Sequence, residues 1–212
     1  MATSADKIAA ALRPIAPDGK LAATDVPLIN SLGQLWDDRR KVISDPAVAP
    51  ALDPPWVAQA RTKIGEKEIP GSKNNPWIVS NWQRLGAKWF NDDETPWCGN
   101  FMAWALDAAG LPYPKEFPRA ASFATYGTAC AAQLGAIGVK ARKGGNHVFI
   151  IVGQTPDKMF YKALGGNQSD MVCIIDIRKT DVDDIRWPQG VPVPSTPYLP
   201  TLPAGKVSTK EA

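Results

Sequence analysis

The chain has 212 residues, of which 44% are hydrophobic and 21% are charged, a composition typical of globular proteins. This length suffices for one well-packed core with a small appended segment. The formal net charge of +3 is mild, and no dense lysine and arginine cluster interleaved with aromatic residues is present, which argues against a nucleic-acid partner. No apolar run approaches the roughly 20 residues that span a bilayer, so we expect no stable membrane insertion.

Three cysteines, Cys98, Cys130 and Cys173, lie far apart and form no CxxC pair. This spacing argues against a zinc knot and a dense disulfide scaffold, and it favours a reduced, cytosolic origin. The first twenty residues lack the basic stretch and apolar core of a secretory signal. We therefore expect synthesis in the cytoplasm, with another agent to deliver the protein if its target lies outside the membrane.

The N-terminal part, residues 5–44, has a modest helical pattern interrupted by prolines. Two short helices are predicted here, the second with Thr24 or Asp25 as its N-cap. The proline-punctuated stretch from Ser44 to Pro55 predicts a linker. We therefore predict that residues 1–50 form an accessory helical segment.

A further helix is predicted to begin at Pro55, because proline is favoured at the first helical position and Trp56, Ala60 and Ile64 share one face. It is expected to end by Gly65 or at the Pro-Gly turn that follows. Four tryptophans then occur within about twenty residues, and aromatic clusters of this kind usually belong to a core. We expect most of them to be buried, with one or two lining a groove: Trp77, Trp82, Trp89 and Trp97.

The clearest local pattern surrounds Cys98. Thr95 is suited to cap a helix, Pro96 suits its first turn, and Gly110 suits the left-handed residue that ends it. Apolar residues recur between them at helical spacing: Phe101, Trp104, Ala105 and Ala108. The pattern therefore places Cys98 in the first turn of a helix.

The second half contains short apolar runs bounded by turn residues: LGAIGVKAR, HVFIIVGQT, MFYKALGG and MVCIIDIRK. Such runs predict antiparallel strands. A helical half followed by a β half favours an α+β fold, with the helix of Cys98 packed on one face of the sheet. After Trp187 the chain is rich in proline, so residues 188–212 are predicted to wrap the surface or to stay disordered.

A thiol at a helix N-terminus lies near backbone N–H groups and the positive end of the helix dipole, and both lower its pKa. The same N–H groups are able to stabilise an oxyanion, so Cys98 is a candidate nucleophile. The alternative is a small buried cysteine, which is the interpretation that suits Cys130 and Cys173.

The only histidine, His147, follows a glycine-rich turn and begins a predicted strand. A lone histidine is more often a surface or core residue, but a nucleophilic cysteine needs a base within hydrogen-bonding reach and no other histidine exists here. Asn167, at the end of the next predicted strand, is the candidate that orients the imidazole through its amide oxygen, while Asp170 or Asp176 would add a charge. The alternative for Asn167 is a turn residue between glycines.

Three motifs occur in a fixed order along the chain: TPWCGNFMAWALDAAGLP, GGNHVFIIVG and ALGGNQSDMV. Together they resemble the CHAP-type members of the NlpC-like papain-fold cell-wall hydrolases, in particular small endolysin-like proteins of phages. The resemblance covers roughly residues 56–187 and implies a catalytic domain over 51–187 with a papain-like fold. It implies hydrolysis of an amide bond in bacterial peptidoglycan, either in the stem peptide or in the N-acetylmuramoyl-L-alanine linkage. In that reaction Cys98 corresponds to the nucleophile, His147 to the base and Asn167 to the polar orienter. A monomer is expected, and neither a metal nor an organic cofactor is needed.

Two positions depart from the family pattern. Many CHAP domains carry an acidic residue two positions before the asparagine, where this chain has Gly165, so either Asn167 acts alone or another carboxylate serves. Family members often have a small residue two positions after the histidine, where this chain has Phe149, which either repacks the core or narrows the substrate groove.

The acidic stretch before Cys98 suggests contacts with cationic groups of a stem peptide, through Asp92 and Asp93. An acidic loop that leads into a helix N-terminus is the alternative. Trp97 and Gln168 are the other predicted substrate-binding residues.

Other functions remain open at this point. A non-catalytic wall-binding module is favoured if Cys98 is buried or unreactive to iodoacetamide at neutral pH. A bacterial wall-remodelling amidase or a toxin delivered into competitors would use the same chemistry, and a neighbouring holin or immunity gene would separate the phage and toxin settings. A zinc amidase is disfavoured because one histidine cannot supply the usual ligand set. The N-terminal segment either binds wall or braces the catalytic domain.

Overall fold

The computed structural model describes residues 4–12, 25–44 and 53–203. The chain divides into two compact units, Met1–Leu52 and Asp53–Ala212. The first unit contains helices α1 (Ser4–Leu12) and α2 (Asp25–Ser44), which pack against each other where Gly33 approaches the backbone of Ala5. Two helices were expected here, although α2 is long, with 20 residues. The expected N-cap Thr24 and most of the expected linker lie outside the described residues.

In its described residues, 53–203, the second unit combines three α-helices with one antiparallel sheet. The helices are α3 (Pro55–Arg61), α4 (Pro76–Arg84) and α5 (Cys98–Ala108), and a 3₁₀ helix follows at Ala120–Thr125. The strands are β1 (Thr128–Ala129), β2 (Ile137–Arg142), β3 (Gly145–Gln154), β4 (Phe160–Gly165), β5 (Cys173–Arg178) and β6 (Asp184–Trp187). A short 3₁₀ turn, Lys179–Asp181, lies between β5 and β6. The expected α+β class is confirmed, with helices first and strands second.

Local sequence explains where the helices begin and end. Proline occupies the first position of α3, as predicted, and also that of α4, where only aromatic burial had been expected. The N-cap of α5 is Trp97, without a side-chain cap bond, so the expectation that Thr95 caps this helix is wrong. The backbone N–H of Thr95 instead donates to Asp92 Oδ1 at 2.6 Å. Gly110, at φ +72°, ends the helix as predicted.

The strand order in the sheet is β1-β6-β2-β3-β4-β5, and every pair of neighbours is antiparallel. The four predicted strand segments form the meander from β2 to β5. Within β3 the residues from His147 to Gly153 are all buried, without the alternation of a strand that has one face in water. Both faces of β3 are therefore covered, and α5 packs against β3 and β4.

Two further expectations concern the clustered tryptophans and the C-terminal segment. Of the four clustered tryptophans, Trp82 and Trp97 are fully buried and Trp77 is partly buried, whereas Trp89 is 71% exposed. The proline-rich C-terminal segment runs along the surface, where Gln154 N–H donates to Pro200 O and Leu202 N–H donates to Gln154 O, each at 2.9 Å. Residues 204–212 lie outside the described part. None of the described helices combines the length and the apolar character needed to cross a membrane.

A buried ion pair links β4 to β5 inside this core. Lys162 and Asp176 are directly opposite in the register, each is 4% exposed, and Lys162 Nζ lies 2.6 Å from Asp176 Oδ1. Removing one partner from such a pair leaves an uncompensated buried charge. We expect Lys162→Met to lower the free energy of unfolding by about 3–5 kcal/mol and Lys162→Met/Asp176→Leu to recover most of that loss. Urea unfolding curves measure both values, and equal midpoints for the single and double variants would contradict this account.

Candidate active site

Cys98 is the first residue of α5, and its backbone environment is that of a helix N-terminus. The first hydrogen bond within the helix runs from Phe101 N–H to Trp97 O at 2.9 Å. The N–H groups of Cys98, Gly99 and Asn100 consequently have no partner within the helix. They carry the partial positive charge that favours a thiolate and an oxyanion.

The chain after α5 returns close to this first turn. A Cβ atom at Gly99 would lie 2.0 Å from the carbonyl oxygen of Phe117, so glycine is required for this approach. The return brings Pro118 and Arg119 next to Cys98, where all three line one pocket.

His147, the third residue of β3, is fully buried beside Cys98. The imidazole of His147 and the thiol of Cys98 form a hydrogen bond. Burial raises the pKa of the thiol, whereas the hydrogen bond and charge of His147 lower it. The backbone N–H of Val148 and the charge of Arg142 lower the pKa further, and the balance leaves it below its usual range. The pair predicted from the sequence is therefore brought together in the structure.

The second side of the imidazole is occupied by Gln168. His147 Nε2 lies 3.0 Å from Gln168 Oε1, and Gln168 Nε2 donates to the carbonyl oxygens of Cys173 at 2.6 Å and Ala163 at 3.3 Å. Because both carbonyls can only accept, Oε1 is the atom that faces the ring and His147 Nε2 must carry the hydrogen. Nδ1 is then the nitrogen left to accept the proton of the thiol.

Gly165 makes room for this contact. A Cβ atom at Gly165 would lie 2.6 Å from Gln168 Oε1 and 3.3 Å from His147 Nε2. At Gly166 a Cβ atom would lie 2.5 Å from the Cβ of Phe101, so the end of β4 also approaches α5 closely. The amide of Gln168 thus lies against the position where the resemblance led us to expect an acidic side chain.

Asn167 has a different set of contacts from the one expected. Its φ is +56° and its side chain is buried. In the amide orientation that satisfies both groups, Nδ2 donates to Glu68 Oε1 at 3.3 Å and Oδ1 accepts from Trp97 N–H at 3.2 Å. Asn167 therefore holds the residue before the nucleophile, and the contact to the imidazole that was predicted for it is made by Gln168.

Phe149 lies under the imidazole in the core. It is fully buried, and its ring is nearly parallel to that of His147, with centroids 5.8 Å apart. The ring covers Gly138 on β2, where a Cβ atom would lie 2.4 Å from it. Of the two roles considered for Phe149, the structure places it in core packing.

Three other predicted substrate-binding residues, Asp92, Asp93 and Trp97, make hydrogen bonds to other parts of the chain. Asp93 is 1% exposed, and its Oδ2 accepts from the backbone N–H groups of Ile69 at 2.9 Å and Asn75 at 2.7 Å. Asp92 accepts from the Thr95 backbone, as described above, and the indole of Trp97 donates to Glu68 Oε1 at 2.8 Å. None of Asp92, Asp93, Trp97 and Gln168 lines the pocket beside Cys98.

That pocket has a volume of about 270 Å³ and is bounded by residues 118–121 on one side and by the turn between β2 and β3 on the other. Cys98 is only 2% exposed, yet it lines this pocket. Two arginines, Arg119 and Arg142, also line it. Neither is a residue that the sequence analysis predicts for the site, although Arg142 ends β2 just before the glycine-rich turn that precedes His147.

No protein-family model, no curated protein and no solved structure matches the chain. The function of the chain is therefore inferred from the geometry of the site and from the motifs described above.

The role of Gln168 is testable by nitrogen-15 NMR, because the signals of the only histidine are unambiguous. In a Cys98→Ala background at alkaline pH, where the imidazole is neutral, we expect a protonated Nε2 and an unprotonated Nδ1. Gln168→Ala should give a mixture of tautomers. Asn167→Gly, which tolerates the positive φ, should leave the spectrum unchanged. A tautomer that depends on Asn167 and not on Gln168 would contradict the assignment.

The state of the thiol is testable by alkylation. The reactive thiolate of a cysteine forms above the pKa of the thiol, which is about 8.5 for an ordinary cysteine. Because the pKa of Cys98 is lowered, we expect its reaction with iodoacetamide to persist at a lower pH than that of an ordinary thiol. His147→Ala should move the profile to higher pH. Cys130 and Cys173 are internal controls, since burial raises the pKa of both. Site-resolved mass spectrometry measures the rates, and a Cys98 no faster than Cys130 at pH 7 would contradict the prediction.

Proposed function

We propose that this chain is a cysteine-dependent amidohydrolase with a papain-like domain of the CHAP or NlpC type, and that it cleaves an amide bond in bacterial peptidoglycan. One observation carries the chemistry: Cys98, at a helix N-terminus, hydrogen-bonds His147, whose opposite ring nitrogen is fixed by Gln168. The choice of fold family and of peptidoglycan depends on the resemblance of the three motifs. The order of the elements along the chain supports this choice of fold family. A helix with the cysteine is followed by a strand with the histidine and then by a strand that leads to the polar residue.

The reaction begins with transfer of the thiol proton to His147 Nδ1. The Cys98 thiolate attacks the amide carbonyl, and the negative charge that develops on oxygen is stabilised by N–H groups of the first turn of α5. The N–H of Trp97 is held by Asn167, so the groups of Cys98, Gly99 and Asn100 are the donors that remain in the first turn. Nδ1–H then protonates the leaving amine, and the acyl group remains on sulfur as a thioester.

The second half of the reaction releases the acyl group. Nδ1 of His147 removes a proton from water, the resulting hydroxide equivalent attacks the thioester, and the thiolate leaves. Gln168 acts as a positioning residue throughout, because its Oε1 accepts from Nε2–H in the neutral and the charged imidazole alike. Every step uses groups of this chain and one water molecule.

A non-catalytic wall-binding module is the second candidate, and the burial of Cys98 is the observation that favours it. Two observations weigh against this alternative. Cys98 lines a pocket, and its pKa is lowered although burial acts in the opposite direction. A purely structural cysteine needs neither feature.

The test is digestion of isolated sacculi by the full-length protein, followed by mass spectrometry of the released muropeptides. We expect new amino and carboxyl termini with wild type, a loss of about a thousand-fold or more with Cys98→Ala, and full retention with Cys130→Ala. The masses identify which bond is cut. Equal turnover by Cys98→Ala would overturn the mechanism, and binding of wild type to sacculi without new termini would favour the binding module.

A further inference from the structure

The pocket beside Cys98 has a positive lining. Its charged side chains are Arg119 and Arg142, and no acidic residue of the described chain lines it. The other lining residues are small or turn-forming, so the two guanidinium groups dominate its electrostatics. A pocket of this kind attracts an anionic group and repels a cationic one.

Arg142 is placed in the pocket by the hairpin between β2 and β3. It is the last residue of β2 and pairs with Gly145, the first residue of β3, across a two-residue turn. Gly144 in that turn has φ +85°, a conformation that suits glycine. The tight turn therefore fixes the backbone of Arg142 beside the pocket that this residue lines. Its charge is close enough to Cys98 to lower the pKa of the thiol.

Arg142 also has an unmet hydrogen-bonding need. Among the described residues, Nη1 of Arg142 is buried and has no hydrogen-bond partner. A guanidinium offers its donors in a planar fork that matches the two oxygens of a carboxylate. A buried donor of this type is costly when it stays unpaired, and the pocket that Arg142 lines is where such a fork would meet a ligand.

The surroundings of Trp97, outside the pocket, have the opposite charge. Glu68 contacts both Trp97 and Asn167. Burial raises its pKa, the hydrogen bond from Trp97 lowers it, and the charges of neighbouring carboxylates raise it further, with the overall result above the usual range. An anionic group is therefore expected to be attracted to the arginines of the pocket and repelled by the surroundings of Trp97.

We propose that the pocket formed around Arg119 and Arg142 is a carboxylate subsite, and that the substrate is a peptide with a free carboxylate next to the scissile amide. The volume of about 270 Å³ is just below the range of about 300–1,000 Å³ that is typical of small-molecule pockets, so it suits a short piece of peptide rather than a sugar chain. This inference deepens the proposed function and rests on it for the identity of the scissile bond. Amidation of that carboxylate removes the charge that the arginines bind.

The carboxylate subsite is testable without turnover, because iodoacetate and iodoacetamide differ only in a carboxylate and a carboxamide. We measure the ratio of their alkylation rates at Cys98 in the full-length protein, with Cys130 as internal reference. The thiolate fraction cancels in this ratio, so a change in the pKa of Cys98 does not affect it. We expect the ratio at Cys98 to exceed that at Cys130 by about tenfold or more, as charge-assisted hydrogen bonds allow.

Three variants sharpen the measurement. Arg142→Gln should bring the ratio close to that of Cys130, and Arg142→Lys should restore it only in part, because lysine keeps the charge but lacks the fork. Arg178→Gln removes an exposed arginine elsewhere on the sheet and should leave the ratio unchanged. A wild-type ratio equal to that of Cys130, or one that survives Arg142→Gln, would overturn the carboxylate subsite.

The same comparison on substrate separates this inference from the proposed function. Muropeptides are used either untreated or with their carboxylates converted to amides by carbodiimide and ammonia. We expect wild type to prefer the untreated fragments by about 10- to 100-fold in kcat/KM, mainly through KM, and Arg142→Gln to lose this preference. Turnover without a preference would overturn the subsite alone. The absence of any turnover, with the alkylation ratio still high, would overturn the proposed function alone.

Discussion

The site depends on a close approach between the first turn of α5 and its neighbours, and this approach is possible only where side chains are absent. A Cβ atom at Gly99 would clash with the carbonyl oxygen of Phe117, and a Cβ atom at Gly166 would clash with the side chains of Phe101 and Trp97. In packing of this density, an added methyl group would displace the neighbouring backbone. The position of the cysteine relative to the histidine is therefore set by backbone contacts more than by the reactive side chains themselves.

The burial of Cys98 that follows from this packing has two opposite effects, one on the pKa of the thiol and one on the strength of the interactions that its charged form makes. Removing Cys98 from water disfavours its charged form and is the largest single effect on its pKa. The pKa falls because the hydrogen bond with His147, the charge of His147, the N–H of Val148 and the charge of Arg142 together outweigh it. The same exclusion of water strengthens the interaction with the N–H groups of α5, because charges interact more strongly at low dielectric. A buried nucleophile at the wall of a pocket thus combines low exposure with chemical activation.

Asn167 and Gln168 show how one short motif supports two parts of the site. The left-handed φ of Asn167 turns the chain between them, so the two amides point to different partners. Asn167 reaches the backbone of Trp97, and Gln168 reaches the ring of His147. Each amide is held by further hydrogen bonds of its own, to Glu68 in one case and to backbone carbonyls in the other. The motif therefore positions the nucleophile and the base at the same time.

Local patterns were sufficient for much of the fold. The strands of the meander follow from apolar runs bounded by turn residues. The helix of Cys98 follows from apolar periodicity and from Gly110, whose left-handed backbone ends the helix locally. Thr95 was misassigned as a cap because its backbone is engaged by Asp92, a contact within a loop that propensity does not describe.

By itself, the sequence determined the α+β class and the pairing of Cys98 with the only histidine. Only the tertiary structure decided that Gln168 rather than Asn167 contacts the imidazole, because adjacent amides of the same chemistry are distinguished by the backbone turn between them. It also decided that Asp93 accepts hydrogen bonds from the backbone and that Arg142 lines the same pocket as the nucleophile. Side-chain direction and burial depend on contacts between segments distant in the chain, and those contacts leave no local signature.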